Sequence, residues 1–95
     1  MKRASTHYKN GQPMYEQKDD IYTHYLKDGK IKAQGPMING RMEGRWIFNR
    51  ASGQLWQTAH FKNGQKQGRW VRYDRSGQKE YEAEFDQDKL VKKLI

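Results

Sequence analysis

The sequence predicts an all-β fold, an antiparallel meander of stacked β-hairpins forming a single open twisted sheet. Three observations predict it. Anchor residues recur at one offset of about 24 residues: Gly29, Gly53 and Gly77; Asn39-Gly40 and Asn63-Gly64; Gly44-Arg45-Trp46 and Gly68-Arg69-Trp70; Met37, Phe61 and Phe85. A fixed period of this length marks a stacked repeat, in which each unit buries its apolar face against its neighbours. Residues 54–62 alternate, with Leu55, Ala59 and Phe61 on one side and Trp56, Thr58 and His60 on the other. A period of two means strand. Finally, Asn-Gly tolerates positive φ at both positions and turns a hairpin.

The elements follow in order. Residues 1–28 form an irregular first unit. Its Tyr22 lies one period before Trp46, but Tyr8-Lys9-Asn10-Gly11 falls about five residues too early for the register. An insertion or a terminal capping variant is the expectation there. Residues 29–52 and 53–76 are the two best copies. Each holds a long strand, a six-residue connection that opens on Asn-Gly and closes on Gly44 or Gly68, a short strand, and a second turn ending on glycine. Residues 77–95 start a third copy, which decays after Phe85, where Gln87-Asp88 replaces Asn-Gly. The tail from Leu90 to Ile95 fits a last strand or a short helix capping the sheet edge. The product is a meander of about six to eight strands in one domain, 1–95.

Size and composition bound the function. With 95 residues and one small domain, little core is left to enclose a reaction pocket. The absence of cysteine excludes disulfides, thiolate catalysis and cysteine-ligated zinc, and leans toward a reducing compartment. The N-terminus, Met1 to Tyr8, is basic without an apolar run behind it, unlike a signal peptide. A cytoplasmic protein is expected. Net charge is +8, which favours an acidic partner or serves solubility. The basic excess falls in repeats 29–52 and 53–76.

The motif Phe61-Lys62-Asn63-Gly64, then Gly68-Arg69-Trp70, then Tyr73 and Gly77 resembles the MORN repeat, and more closely its bacterial variant in YwqK-type antitoxins. The preceding copy matches less fully, with Met37 for the leading aromatic and Asn49 for the trailing one. The resemblance spans roughly Tyr22 to Phe85. It implies a β-hairpin array used for protein or membrane-lipid association, and a toxin as partner. It brings no catalytic residues with it.

The chemistry-bearing residues fit that picture. His7, His24 and His60 sit in different phases of the repeat and make neither a metal-ligand spacing nor an acid–base cluster. No nucleophile motif or phosphate loop is present, so no enzyme activity, metal or cofactor is expected. Glu80, Glu82 and Glu84 alternate and are expected on one strand face, as a solvated or salt-bridged row in preference to a cation site. Tyr22, Trp46 and Trp70 form a repeat-equivalent column, read as shared core in preference to a base-stacking platform. Trp56 differs: its equivalents are Lys32 and Glu80, so it stands on an otherwise polar face. It is a candidate partner contact unless a flanking segment covers it. Arg41, Arg45, Lys62, Lys66 and Arg69 gather at the turn edge as one basic stripe. The expected site is therefore Trp56 with Arg41, Arg45, Lys66 and Arg69. The leading expectation is a protein-interaction module that neutralises a toxin or effector. The alternative is a polyanion-binding module for nucleic acid or anionic phospholipid headgroups, and an edge-to-edge homodimer is a third mode of association.

Overall fold

Two kinds of turn, each set by its residues, organise the chain. Asn39-Gly40 and Asn63-Gly64 adopt positive φ at both positions. A two-residue turn of this hand matches the twist of the strands it joins. The protein is described by a computed structural model over residues 6–95. There the chain forms β1 (Tyr15–Lys18), β2 (Ile21–Tyr25), β3 (Ile31–Ile38), β4 (Arg41–Met42), β5 (Gly44–Asn49), β6 (Leu55–Lys62), β7 (Gln65–Lys66), β8 (Gly68–Tyr73), β9 (Lys79–Asp86) and β10 (Lys89–Lys93). The two-residue strands β4 and β7 fold back on the ends of β3 and β6 and make the hairpin tips. Met1 to Ser5, part of the basic N-terminal stretch read above, lie outside the described residues.

The second kind of turn joins each short strand to the next long one. The N–H of Gly53 donates to the Arg50 carbonyl and that of Arg50 to the Gln54 carbonyl, both at 2.8 Å. Leu26–Gly29 and Asp74–Gly77 close the same way. Asp28 Oδ1 and Ser52 Oγ brace the turn by accepting the N–H two residues on. Tyr8–Gly11 has these same two backbone bonds, and Asn10 Oδ1 accepts from the Gln12 N–H.

That equivalence corrects the expectation of an insertion. Tyr8-Lys9-Asn10-Gly11 is the turn that precedes a long strand, not a tip turn. Gly11 lies 18 residues before Gly29, whereas the later glycines are 24 apart. The missing residues are the tip itself: Lys18 pairs directly with Ile21 across Asp19-Asp20. The first unit is thus shortened. At the other end the decay of the motif does not abolish the turn. Gln87 and Asp88 both take positive φ, and Asp86 pairs with Lys89. The tail is a strand, β10, with an irregularity at Val91 where an ordinary unit passes from tip to short strand.

The strands form one antiparallel sheet in the order β1-β2-β3-β5-β6-β8-β9-β10, with β4 and β7 beside β3 and β6. Among the described residues there is no helix and no second layer. The tips add a ladder of their own. Gly64 N–H donates to the Met42 carbonyl and Asp88 N–H to the Lys66 carbonyl, each at 3.0 Å.

The core lies within the sheet. One row of cross-strand partners runs Gln17–Tyr22–Gly35, then Trp46–Ala59, then Trp70–Ala83. From Tyr22 on, short strands supply an aromatic ring and long strands supply glycine or alanine. Trp46 is 2% exposed, and Ala59 and Ala83 are fully buried. The Trp46 indole lies flat on the Gly35 backbone and donates from Nε1 to the Pro36 carbonyl at 2.8 Å. Ring contacts continue along the face: Tyr15–Tyr22 at 5.8 Å, Tyr22–Trp46 at 6.1 Å, Phe61–Trp70 at 5.7 Å and Trp70–Phe85 at 5.8 Å between centroids. Such pairs contribute about 0.5–1.5 kcal/mol each beyond area burial. Burial among these rings and the neighbouring Tyr15 raises the Tyr22 phenol above its ordinary pKa. The opposite face carries the row Thr23–Gln34, Ile47–Thr58–Val71–Glu82. Thr23, Thr58, Val71 and Glu82 are buried there, with Gln34 Nε2 donating to Thr23 Oγ1 at 2.9 Å and Arg69 and Lys79 over Glu82.

The Gly35–Trp46 contact yields a first prediction. A Cβ at Gly35 would sit 2.3 Å from Trp46 Cγ, so Gly35→Ala must displace the indole. The substitution should lower the urea midpoint by the equivalent of about 1–3 kcal/mol. An unchanged midpoint would show that the indole does not rest on that backbone.

Candidate functional site

At three repeat-equivalent points a long strand carries one residue more than its partner. His24 pairs with Ala33 but Tyr25 with Ile31; Phe48 with Gln57 but Asn49 with Leu55; Arg72 with Tyr81 but Tyr73 with Lys79. The extra residues are Lys32, Trp56 and Glu80. A bulge breaks the two-residue alternation, so side chains on either side of it change face.

This corrects the reading of Trp56. The Arg72 guanidinium lies 5.2 Å from the Trp56 ring centroid and 5.4 Å from that of Tyr81. Arg72 pairs with Gln57 and Tyr81, and shares its face with Trp70. Trp56 therefore stands on the aromatic face, not on the polar face of Thr58 and His60. Its cover is Arg72 rather than a flanking segment. Gln57, 5% exposed, holds the guanidinium by accepting from Nε and Nη2 at 3.3 and 3.2 Å. The acidic run is corrected likewise. Glu80 is the bulge residue, and Lys79 takes the place beside Glu82, with Nζ 3.4 Å from its carboxylate.

The basic residues also divide between the faces. Lys66 pairs with Phe61, and its Nζ lies 4.8 Å from the Trp70 ring centroid and 5.0 Å from that of Phe85. A cation over aromatic faces is stabilised by the ring quadrupole. Arg69 is on the opposite face, where one guanidinium nitrogen pairs with Glu82 and the other with Glu84 at 3.0 Å. The hydrogen bond from Arg69 holds the Glu82 carboxyl below its ordinary pKa, and the two carboxylates raise that of Arg69. Arg41 and Arg45 lie on this face as well and are exposed. Neither forms an ion pair with a described residue.

The five residues expected to act together thus fall into three settings. Trp56 and Lys66 belong to the aromatic face, Arg69 is held by acids, and Arg41 and Arg45 lie on the other side without an ion pair among the described residues. Sequence reasoning missed the Arg72–Gln57–Trp56–Tyr81 cluster. Its signal was there, since Arg72 replaces His24 and Phe48 of the earlier units. The histidines stay apart. Burial, then Lys32, lowers the pKa of His24, which pairs with Tyr15 and Ala33. His60 is exposed opposite Arg45. Among the described residues, no group of three or more His, Asp or Glu side chains is placed to hold a metal.

Comparison with protein families agrees with this geometry. Residues 42–63 and 66–87 each match the family model of the MORN repeat variant. Each match begins in a tip strand, β4 or β7, and runs through the short strand and the following long strand to the next tip turn. MORN repeats are in general modules that bind proteins or lipids rather than catalysts. Among curated proteins and among solved structures, nothing matches the chain.

The Arg69–Glu82 pair sets an expected pH dependence. A carboxylate with a depressed folded pKa adds stability above its unfolded value, about 4.3. That stability is lost as pH falls through the lower folded value. The wild type should weaken as pH falls from the unfolded value through the lower folded one. Glu82→Gln should be less stable at neutral pH and show a shallower acid limb in urea titrations from pH 7 to 3. Parallel acid limbs would show that the pair carries no linkage.

Proposed function

We propose that the protein is a non-catalytic interaction module that presents a rigid sheet surface to a protein partner. One observation carries this reading: an aromatic face on which Trp56, Phe61, Trp70, Tyr81 and Phe85 are half-buried, with no second layer over them among the described residues. Rings of this kind, held by neighbours and partly open to solvent, suit partner contact because little side-chain entropy is left to lose. The resemblance to YwqK-type antitoxins supplies the finer reading. The partner is then a toxin or effector, neutralised by occlusion of its working surface. The lack of cysteine supports action in a reducing compartment such as the cytoplasm. Pairing of copies through β1 or β10, the ends of the described sheet, is a further mode of association.

The free cations favour a second reading. Arg41, Arg45 and Lys62 are exposed without a carboxylate partner among the described residues, and such a group also suits polyanions.

The partner reading predicts that Trp56→Ala or charge reversal at Arg45 weakens capture of the partner in a pull-down. Unchanged capture by both variants would sink the surface assignment. The polyanion reading predicts binding to RNA, DNA or acidic vesicles that falls steeply from about 50 to 200 mM salt. No binding at low salt would remove it.

A further inference from the structure

The repeat allows a comparison of each residue with its own equivalent in the next unit. Arg45 and Arg69 hold the same position, each at the start of a short strand beside a long one. Arg69 is paired across the sheet with Glu84, and Glu82 lies diagonally, opposite Val71. Both carboxylates bind its guanidinium. Around Arg45 the same two places are held by His60, directly opposite, and Thr58, opposite Ile47. The arginine is retained and its two acids are gone.

The surroundings of Arg45 sharpen the contrast. Arg41 and Lys62 lie on the same face toward the tips, both exposed. Ile21 and Ile38, 42% and 44% exposed, supply apolar surface on that face. The nearby Glu43 carboxylate is engaged by the Asn63 N–H at 2.9 Å. A guanidinium with five donors, exposed among further cations, is a site for carboxylates or phosphates. The unit next door shows the ligand geometry that this scaffold builds: two carboxylates two residues apart on an extended strand.

We infer that Arg45 is an open seat for carboxylates, taking a pair of acidic residues at positions i and i+2 of an extended segment on a partner protein. Arg41 and Lys62 add electrostatic attraction, and Ile21 and Ile38 receive the apolar side chains of the same segment. This inference rests on the reading of the protein as a protein-interaction module and specifies its partner's chemistry. The opposite net charge of such a segment complements the +8 of the chain.

The test uses the full chain and a fluorescein-labelled peptide of alternating glutamate and alanine, with the glutamine–alanine peptide as control. The wild type should bind the acidic peptide and not the control. Arg45→Glu should weaken binding by at least about tenfold, the scale of one lost charge-assisted pair. Two grafts then fill the seat from within. His60→Glu, and Thr58→Glu with His60→Glu, recreate the acids that Arg69 possesses. Both should block the peptide while the melting temperature stays at or above the wild-type value. Peptide binding indifferent to Arg45→Glu, or undiminished in a folded graft, overturns the seat. So does binding of an oligouridylate RNA in preference to the peptide. Capture of a natural protein partner that ignores Arg45 overturns the seat and leaves the interaction-module reading intact. Peptide binding that depends on Arg45 supports the seat whether or not a toxin is ever captured.

Discussion

The contact of the Trp46 indole with the backbone of Gly35 is the constraint on which the rest of the structure turns. A single-layer sheet has no opposing layer to bury its side chains. Its apolar groups must instead be shielded by lying along their own face. That requires each large ring to have a neighbour with almost no side chain. The row Tyr22, Gly35, Trp46, Ala59, Trp70, Ala83 meets the requirement by alternating large and small across the strands. The 24-residue period follows, because it returns an aromatic residue to each short strand and a small residue to each long one. Removing the tip from the first unit does not disturb the row, since β1 and β2 still place Gln17 opposite Tyr22.

The same economy explains where polar groups go. Both faces of the sheet border solvent, so charged side chains serve as cover for the rings and the central rows. Lys66 covers Trp70 and Phe85, Arg72 covers Trp56 and Tyr81, and Arg69 with Lys79 covers Glu82. Long aliphatic stems do this well, because they shield apolar surface while the charged head stays wet. The cations left without such work, chiefly Arg41 and Arg45, are the ones with capacity for a partner. Function and stability thus draw on the same residue types and are separated by what each head group touches.

Much of this was legible in the sequence, and its limit is physical. Turn chemistry and the alternation of Thr58, Ala59, His60 and Phe61 identified the strands and the hairpin tips, although Leu55, which pairs with Asn49 beyond the bulge, lies on the face opposite Ala59 and Phe61. The repeat column Tyr22–Trp46–Trp70 identified the ring-bearing positions. What periodicity does not report is a bulge. Strict alternation carried Trp56 to the wrong face and joined Glu80 to Glu82 and Glu84, because one extra residue in each long strand inverts the sides beyond it. The turn at Tyr8–Gly11 misled for a related reason. Its Asn-Gly pair suits two different turns, and only the backbone bonds to Gln12 and Tyr8 decide between them. Nor does sequence show which of two equivalent arginines is already neutralised, since Arg69 meets its acids across strands.

The large–small alternation is tested most directly by a double-mutant cycle between Ala59→Val and Trp46→Leu, read by urea denaturation. Ala59 is fully buried and pairs with Trp46, so the added methyl groups press on the indole. The cost of Ala59→Val should fall when the indole is removed, giving a coupling energy of about 0.5–3 kcal/mol. Additive effects, within about 0.5 kcal/mol, would contradict the claim that ring and small neighbour are fitted to each other across the sheet.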